Sequence, residues 1–403
     1  MDKMYGIFKR FATENHYNSI IKSLNSAVTT RDTKATMKPL TCPEIKYAHM
    51  GQLVIKDDIC YSTFIQNPGD DGEQTYSQTS EIVLAVFSLE KVLSSDFIPE
   101  RDIKYYPIGG IGHTCAGYKA KSIFKCNSMC LIGDKIYICF CFQTEDDSFR
   151  LFRIVYNINS ESFESETAVK MLYNGKTYPF DDNITNRIYT ETGFNTASNF
   201  IVEVVSRWSE YNGEYYATYL IGAGTNNGLV IKTKDFETME YVSTIPNNEL
   251  GSAEASSYIY KDVLYVACRQ DYFNPFMVLN AYDLKTGTWY DPNYFEDGTC
   301  RPWFFEKDGE LYLINTTEEY VRRYANISKI VIKPQWKLAG IPIDTVATIY
   351  DCGFYFAVTE YNGRHFFVSS GDIYHHIIRF GELKLKQFDP EVVNKKLLEI
   401  FEE

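Results

Sequence analysis

The stretch Asp308-Gly309-Glu310-Leu311-Tyr312 places a tight turn directly before an apolar strand that carries a tyrosine. The pattern occurs six times, with Gly, Asp or Cys in each turn. The last four tyrosines are 49, 47 and 43 residues apart (216 to 265, 265 to 312, 312 to 355), and the first two intervals are 76 and 79 residues. The other copies are Lys56-Asp57-Asp58-Ile59-Cys60-Tyr61, Gly133-Asp134-Lys135-Ile136-Tyr137, Asn212-Gly213-Glu214-Tyr215-Tyr216, Lys261-Asp262-Val263-Leu264-Tyr265 and Asp351-Cys352-Gly353-Phe354-Tyr355.

A repeat of about 45 residues with several strands per copy is typical of a β-propeller blade. Each blade is a small sheet that cannot bury both of its faces alone, so the copies must stack around an axis. The sequence therefore predicts an all-β, six-bladed β-propeller over residues 43–388. We expect an N-terminal helix and connector over residues 1–40 and a C-terminal helix over residues 389–403. These helices would clamp the ring or dock it into a larger protein assembly.

The composition limits the partners of the protein. The formal net charge is −13, whereas nucleic acid and anionic membranes bind basic surfaces. No stretch is long and apolar enough to span a bilayer, and the first 25 residues lack the continuous apolar core of a signal peptide. We expect no nucleic-acid partner and no membrane insertion. The location would be the cytoplasm or a virus particle, for example a phage tail.

The ten cysteines do not form a metal or disulfide pattern. Cys139 and Cys141 alternate along one strand with Phe140 and Phe142, which indicates core packing on both faces of a sheet. No motif for a cofactor is present, so we expect neither a metal nor a cofactor.

One blade ends in Ala281-Tyr282-Asp283-Leu284-Lys285-Thr286-Gly287-Thr288-Trp289. This segment resembles the bacterial neuraminidase repeat, Ser-x-Asp-x-Gly-x-Thr-Trp, whose residues cap a hairpin and indicate a fold rather than an activity. Together with six blades, the segment makes the chain similar to the sialidase-like propellers from about residue 45 to 380.

The resemblance implies roles for several residues. Glu254 lies 15 residues before Arg269, and in sialidases a glutamate and an arginine so placed polarise the nucleophile and hold the substrate carboxylate. Arg322 or Arg323 matches the third arginine of the family, and Arg301 is a further candidate for substrate binding. Arginine suits this task because its planar guanidinium binds a carboxylate through two parallel hydrogen bonds.

Other positions depart from the family pattern. Tyr47-Ala48-His49-Met50 has no arginine where the family has its first one. Thr345 stands where the resemblance places the catalytic tyrosine, which argues against sialidase hydrolysis. Glu360 matches the orienting glutamate of the family, and Tyr361 follows it as a candidate for substrate binding.

Three functions remain open from the sequence. The leading hypothesis is a glycan-recognising propeller without sialidase hydrolysis, with its site at the central mouth and an acidic sugar as ligand. The aromatic loop residue Tyr272 would stack on a sugar ring. The second hypothesis is an exo-glycosidase that uses Glu254 with Asp70, Asp71 or Glu73 as the second carboxyl group. The third is a purely structural propeller in a larger assembly.

Overall fold

The computed structural model describes part of the chain, and the account below concerns that part. The described residues are 37–69, 79–193, 202–204, 206–221, 227–246, 253–269, 276–296, 301–316, 324–330, 343–350, 353–371 and 377–383. The helices expected at the two chain ends lie outside these ranges, apart from residues 37–40.

The described strands form six sheets, which we number as blades 1 to 6 in chain order. The first strand of the chain, β1 (Lys38–Pro39), belongs to blade 6. Blade 1 contains β2 (Tyr47–Lys56), β3 (Ile59–Asn67), β4 (Glu81–Ser88) and β5 (Ile103–Gly110). Blade 2 contains β6 (Thr114–Cys115), β7 (Tyr118–Ile132), β8 (Lys135–Thr144), β9 (Phe149–Asn157) and β10 (Ser162–Ala168). Blade 3 contains β11 (Lys170–Tyr173), β12 (Lys176–Pro179), β13 (Val202–Val204), β14 (Ser209–Tyr211), β15 (Glu214–Ile221), β16 (Asn227–Thr233) and β17 (Thr238–Thr244).

The second half of the chain builds three further blades of similar size. Blade 4 contains β18 (Ala253–Tyr260), β19 (Val263–Arg269), β20 (Phe276–Asp283), β21 (Thr288–Trp289) and β22 (Asn293–Glu296). Blade 5 contains β23 (Trp303–Lys307), β24 (Glu310–Thr316), β25 (Tyr324–Ile330) and β26 (Ile343–Tyr350). Blade 6 contains β27 (Phe354–Tyr361), β28 (Arg364–Ser370) and β29 (Ile378–Leu383). The helices in the described ranges are Leu89–Leu93, Pro99–Asp102 and Asp182–Thr192.

The six sheets form a closed ring. We call β2, β7, β13, β18, β23 and β27 the first strands of their blades, because each precedes the hairpin turn that repeats from blade to blade. Strands β2, β7 and β13 pack in this order, and contacts continue from β15 of blade 3 through β18, β23 and β27 back to β2. Strand β1 completes blade 6 by pairing with β29, Lys38 opposite Phe380 and Pro39 opposite Arg379. The described part of the propeller therefore includes Lys38 and Pro39, which lie before the boundary at residue 43 that the sequence predicts. The six-bladed propeller fold that the repeat predicts is confirmed.

Side chains that alternate between the two faces of a sheet fill the spaces between neighbouring blades. In β8, Phe140 and Phe142 pack with residues of blade 1, whereas Cys139 and Cys141 pack with residues of blade 3. The same alternation recurs in β19, because Val266 packs with blade 3 and Ala267 with blade 5. Successive side chains of a strand point to opposite faces, so strands such as β8 and β19 are buried on both sides. The predicted core role of Cys139 and Cys141 is confirmed, since both are fully buried.

The repeated turn joins the first and second strands of a blade. Five of these turns hold both central residues at positive φ, as a type I′ hairpin requires: Asp57-Asp58, Asn212-Gly213, Lys261-Asp262, Asp308-Gly309 and Asn362-Gly363. The sixth sequence copy was therefore assigned wrongly. Its true equivalent is Asn362-Gly363 between β27 and β28, and Tyr355 belongs to the first strand of blade 6.

The neuraminidase-like segment caps a hairpin, as expected. The Asp283 carboxylate accepts hydrogen bonds from the backbone N–H groups of Lys285 (2.8 Å) and Thr286 (3.0 Å). The Trp289 indole N–H donates to the Ser243 hydroxyl at 2.9 Å and so links blade 4 to blade 3. These contacts give the motif a structural role.

Phe152 tests the packing between blades 1 and 2. Its ring stacks on Phe142 with centroids 4.0 Å apart and is fully buried. Phe152→Ala should lower the free energy of unfolding by about 3–5 kcal/mol, because it leaves a cavity in the core. Ile98→Ala, at a side chain that is 46% exposed, should change it by less than about 0.5 kcal/mol. Chemical denaturation measures both variants, and equal effects would contradict this packing.

Candidate functional site

The first strands of the blades begin at the same end of the propeller. Each runs from this mouth to the hairpin turn at the other end, so residues near the starts of β2, β18 and β27 come together. Antiparallel pairing returns the ends of the second strands to the same mouth, as when Arg269 pairs with Ala253. This geometry gathers residues that are up to about 300 positions apart in sequence.

Three of these first strands carry the same irregularity near the mouth. In each, two residues stand opposite one on the neighbouring strand: Met50-Gly51 in β2, Glu254-Ala255 in β18 and Tyr355-Phe356 in β27. The first residue of each β-bulge has positive φ, namely 59° for Met50, 39° for Glu254 and 57° for Tyr355. Non-glycine residues rarely adopt such angles, and strain of this kind collects at functional sites. The bulges re-aim these side chains.

Glu254, Arg269 and Tyr355 form a hydrogen-bonded cluster. The Tyr355 hydroxyl donates a short hydrogen bond to Glu254 Oε1. Arg269 Nη1 donates to Glu254 Oε2 at 2.6 Å and to the Tyr355 hydroxyl at 3.3 Å. Tyr355 is buried, whereas the side chains of Glu254 and Arg269 are 15% and 18% exposed. The cluster therefore reaches solvent through a carboxylate and a guanidinium.

Blade 1 supports the tyrosine from a second side. The His49 ring lies edge-on to the Tyr355 ring with centroids 4.4 Å apart. His49 Nδ1 is 2.8 Å from the Ser370 hydroxyl, which also accepts the Met50 backbone N–H at 3.2 Å. Ser370 in turn pairs with Phe354, directly beside the bulge of β27. A buried hydroxyl thus ties the bulges of blades 1 and 6 together.

Arg301 lies on a third side of the tyrosine. Its guanidinium is 5.3 Å from the Trp303 ring centroid and 5.9 Å from the Tyr355 ring centroid. Arg301 is fully buried, unlike Arg269. The predicted role in substrate binding needs an exposed guanidinium, so this position favours a different role.

The tyrosine of the site differs from the sequence expectation. Thr345 was placed at the tyrosine position, but it lies in β26, the strand of blade 5 farthest from its first strand, opposite Ser328. Tyr355 occupies the position beside Glu254 instead. The sequence does not single out Tyr355, because this residue fits the pattern of the repeat tyrosines. The Asn-Gly pair at 362–363 is the sequence signal that could have found it, because this pair marks the hairpin turn of blade 6 and so places Tyr355 in the strand before the turn.

Glu360 and Tyr361 do not join the site. They lie five and six residues beyond Tyr355 on β27, roughly 17–20 Å away at the rise of a β-strand. The exposed Glu360 carboxylate accepts the Gly363 N–H at 3.0 Å and caps the hairpin turn. The Tyr361 hydroxyl accepts the Asp58 N–H at 2.9 Å. Both predicted site roles are corrected, because these side chains stabilise the turns at the opposite end of the ring.

The remaining predicted site residues lie outside the described residues and stay predictions. They are Asp70, Asp71, Glu73, Tyr272, Arg322 and Arg323. The flanking strand ends are described: β3 finishes at Asn67, opposite Tyr47, and β4 starts at Glu81.

The described residues do not support a metal site, a membrane-spanning helix or a nucleophilic cysteine beside Arg269. Within them, no three His, Cys, Asp or Glu side chains are grouped so as to hold a metal ion. None of the helices described has the length and apolar character that crossing a membrane demands. Burial raises the pKa of Cys268, next to Arg269, to about 12, so this thiol is protonated at neutral pH and is a poor nucleophile.

The sequence matches no protein-family model and no curated protein. Solved structures do match. Trypanosoma rangeli sialidase superposes with a TM-score of 0.56 at 10% identity, covering 84% of this chain and 55% of that protein. A Hadza microbial sialidase gives 0.56 at 11% identity, covering 85% and 66%. A protein of unknown function from Dyadobacter fermentans gives 0.54 at 10% identity, covering 87% and 98%.

These likenesses establish the fold. The chain is a sialidase-like six-bladed β-propeller, and it spans about half the length of the Trypanosoma rangeli sialidase. At such low identity, residue roles rest on the geometry of this chain alone.

Gly353 tests the bulge that presents Tyr355. A Cβ at Gly353 would lie 1.7 Å from the Ser370 carbonyl oxygen, and φ is +82°. Gly353→Ala should therefore cost more than about 3 kcal/mol of unfolding free energy, because the backbone must move. Gly363→Ala is the matched control, since φ is +73° and nothing lies within 4 Å of the added methyl group. It should cost about 1 kcal/mol. Equal losses in thermal unfolding would contradict the close approach of Gly353 to β28.

Proposed function

We propose that this protein binds a terminal acidic sugar at the mouth of the propeller and hydrolyses its glycosidic bond. The observation that carries the proposal is the hydrogen bond from the Tyr355 hydroxyl to Glu254, with Arg269 Nη1 3.3 Å from the same hydroxyl. Thr345 in place of the tyrosine is one of the sequence arguments against hydrolysis, and Tyr355 beside Glu254 offers a phenol in its stead. The sialidase-like fold supports a glycan as substrate.

The chemistry of the pair suits this reaction. As the phenolic oxygen of Tyr355 attacks the anomeric carbon, its proton passes to Glu254, and the bond to the leaving-group oxygen breaks. The product is a glycosyl–tyrosine, which water then hydrolyses to regenerate the phenol. A neutral phenol is the better nucleophile here, because a carboxylate would be repelled by the carboxylate of an acidic sugar.

Recognition of the sugar carboxylate would rest on Arg269. Its guanidinium is 18% exposed, and its planar group of five N–H donors suits a carboxylate. The predictions for Arg322 or Arg323 as a second guanidinium, and for an acid among Asp70, Asp71 and Glu73 to protonate the leaving group, complete the hypothesis.

A second candidate is glycan binding without turnover. His49 stands where the family pattern has an arginine, and Arg269 Nη1 is already bonded to Glu254 at 2.6 Å. Both features would weaken the binding of the sugar carboxylate in the transition state. The second candidate predicts binding of sialylated glycans with no hydrolysis.

Covalent trapping tests the proposed reaction. 2,3-Difluorosialic acid is the compound of the covalent intermediate in one structure of the Trypanosoma rangeli sialidase. It should attach to Tyr355, which peptide mass spectrometry detects. Glu254→Gln should lower the hydrolysis rate of an aryl sialoside by about 10²–10⁴-fold, because the base is lost.

The matched control is Tyr361→Phe, which removes a hydroxyl at the far end of the same strand. It should leave hydrolysis unchanged, whereas Tyr355→Phe should abolish both hydrolysis and labelling. Equal losses in the two variants would contradict the proposal. Glycan-array binding without labelling or turnover would favour the second candidate.

A further inference from the structure

Arg301 is the largest fully buried side chain in the described residues, and it lies beside the reactive pair. Its guanidinium carbon is 5.9 Å from the centroid of the Tyr355 ring. Buried arginine is uncommon because removing the charge from water is costly unless the surroundings favour the cation. The faces of two aromatic rings supply part of that favourable environment.

Trp303 connects Arg301 to β27, the strand that carries Tyr355. The guanidinium carbon of Arg301 lies 5.3 Å from the Trp303 ring centroid. The indole N–H of Trp303 donates to the Val358 carbonyl of β27 at 3.0 Å. The start of blade 5 is thereby attached to blade 6, three residues beyond Tyr355. Arg301 can move little relative to the phenol.

The charge of Arg301 acts on the ionisation of the phenol. The titratable or charged groups that face Tyr355 include Glu254 from β18, Arg269 from β19, His49 from β2 and Arg301 from the residues before β23. The Glu254 carboxylate disfavours a phenolate, whereas both guanidinium groups favour one. Arg301 does so from a buried position, where charges are poorly screened.

We propose that Arg301 is a positioning residue for Tyr355, which fixes the ring beside Glu254 and stabilises negative charge on the phenolic oxygen. This role extends the proposed function, since a nucleophilic tyrosine develops that charge as its proton leaves. It also replaces the sequence-based expectation that Arg301 contacts the substrate.

Tyrosine titration tests this role without any substrate. The chain has 32 tyrosines, so the protein is labelled with ζ-¹³C-tyrosine and the Tyr355 resonance is assigned by its absence in Tyr355→Phe. Arg301→Gln should raise the pH midpoint of this resonance by about one unit or more, because a nearby positive charge is lost. Arg301→Lys keeps the charge and should stay within about half a unit of the native midpoint.

Arg153→Gln is the matched control. Arg153 is also buried and its guanidinium lies 6.0 Å from the Tyr137 ring centroid, but it belongs to blade 2. Its substitution should leave the Tyr355 midpoint unchanged while removing a comparable buried charge. Circular dichroism checks folding of every variant.

The results separate this inference from the proposed hydrolysis. An unchanged Tyr355 midpoint in Arg301→Gln would overturn the inference even if the native protein hydrolyses sialosides. A raised KM for sialoside hydrolysis in this variant, without a change in the Tyr355 titration, would also overturn it. If Arg301→Gln does not fold, a midpoint raised by a full unit in Arg301→Lys overturns the charge argument. A shifted midpoint supports the inference whether or not any glycoside is hydrolysed.

Discussion

The structure depends on the burial of both faces of every sheet. Blade 2, for example, places Phe140 against one neighbour and Cys139 against the other, so the middle of this sheet is apolar on both faces. Such sheets are stable only when the ring closes, which is the requirement of any radial repeat. The pairing of β1 with β29 completes the last blade with the start of the chain. Ring closure also brings the bulged strands of blades 1, 4 and 6 together at one mouth.

The candidate site is a local departure from the regular sheets that the ring is made of. Glu254 and Tyr355 sit at positive φ in β-bulges, an arrangement that costs of order 1–3 kcal/mol per residue. The packing of the blades offsets this strain and holds the two side chains in contact. His49, Ser370 and Arg301 then surround the tyrosine from other blades. A polar cluster built in this way has little freedom to rearrange, which is what a reactive phenol beside a carboxylate requires.

Much of the fold could be predicted from the sequence, because the repeated turns and the alternation in segments such as Cys139–Phe142 are local patterns. The resemblance to sialidases also points to the pair Glu254 and Arg269, and antiparallel pairing within one blade brings these two residues together. The role of Tyr355 could not be predicted, because the β-bulge that directs its side chain has no sequence signature and because the turn of blade 6 lies one strand later than the repeat predicts. The same error in the position of the turn gave Thr345, Glu360 and Tyr361 site roles that the structure does not support. The sequence gives no signal that Arg301 is buried beside Tyr355, since that contact joins two different blades.

The contact between Tyr355 and Glu254 is the central claim, and a double-mutant cycle in unfolding free energy tests it most directly. Tyr355→Phe, Glu254→Gln and the double variant are compared with the native protein by denaturant titration. The account predicts a coupling of about 0.5–3 kcal/mol between residues that are 101 positions apart. Single effects that add to within about 0.3 kcal/mol would contradict it.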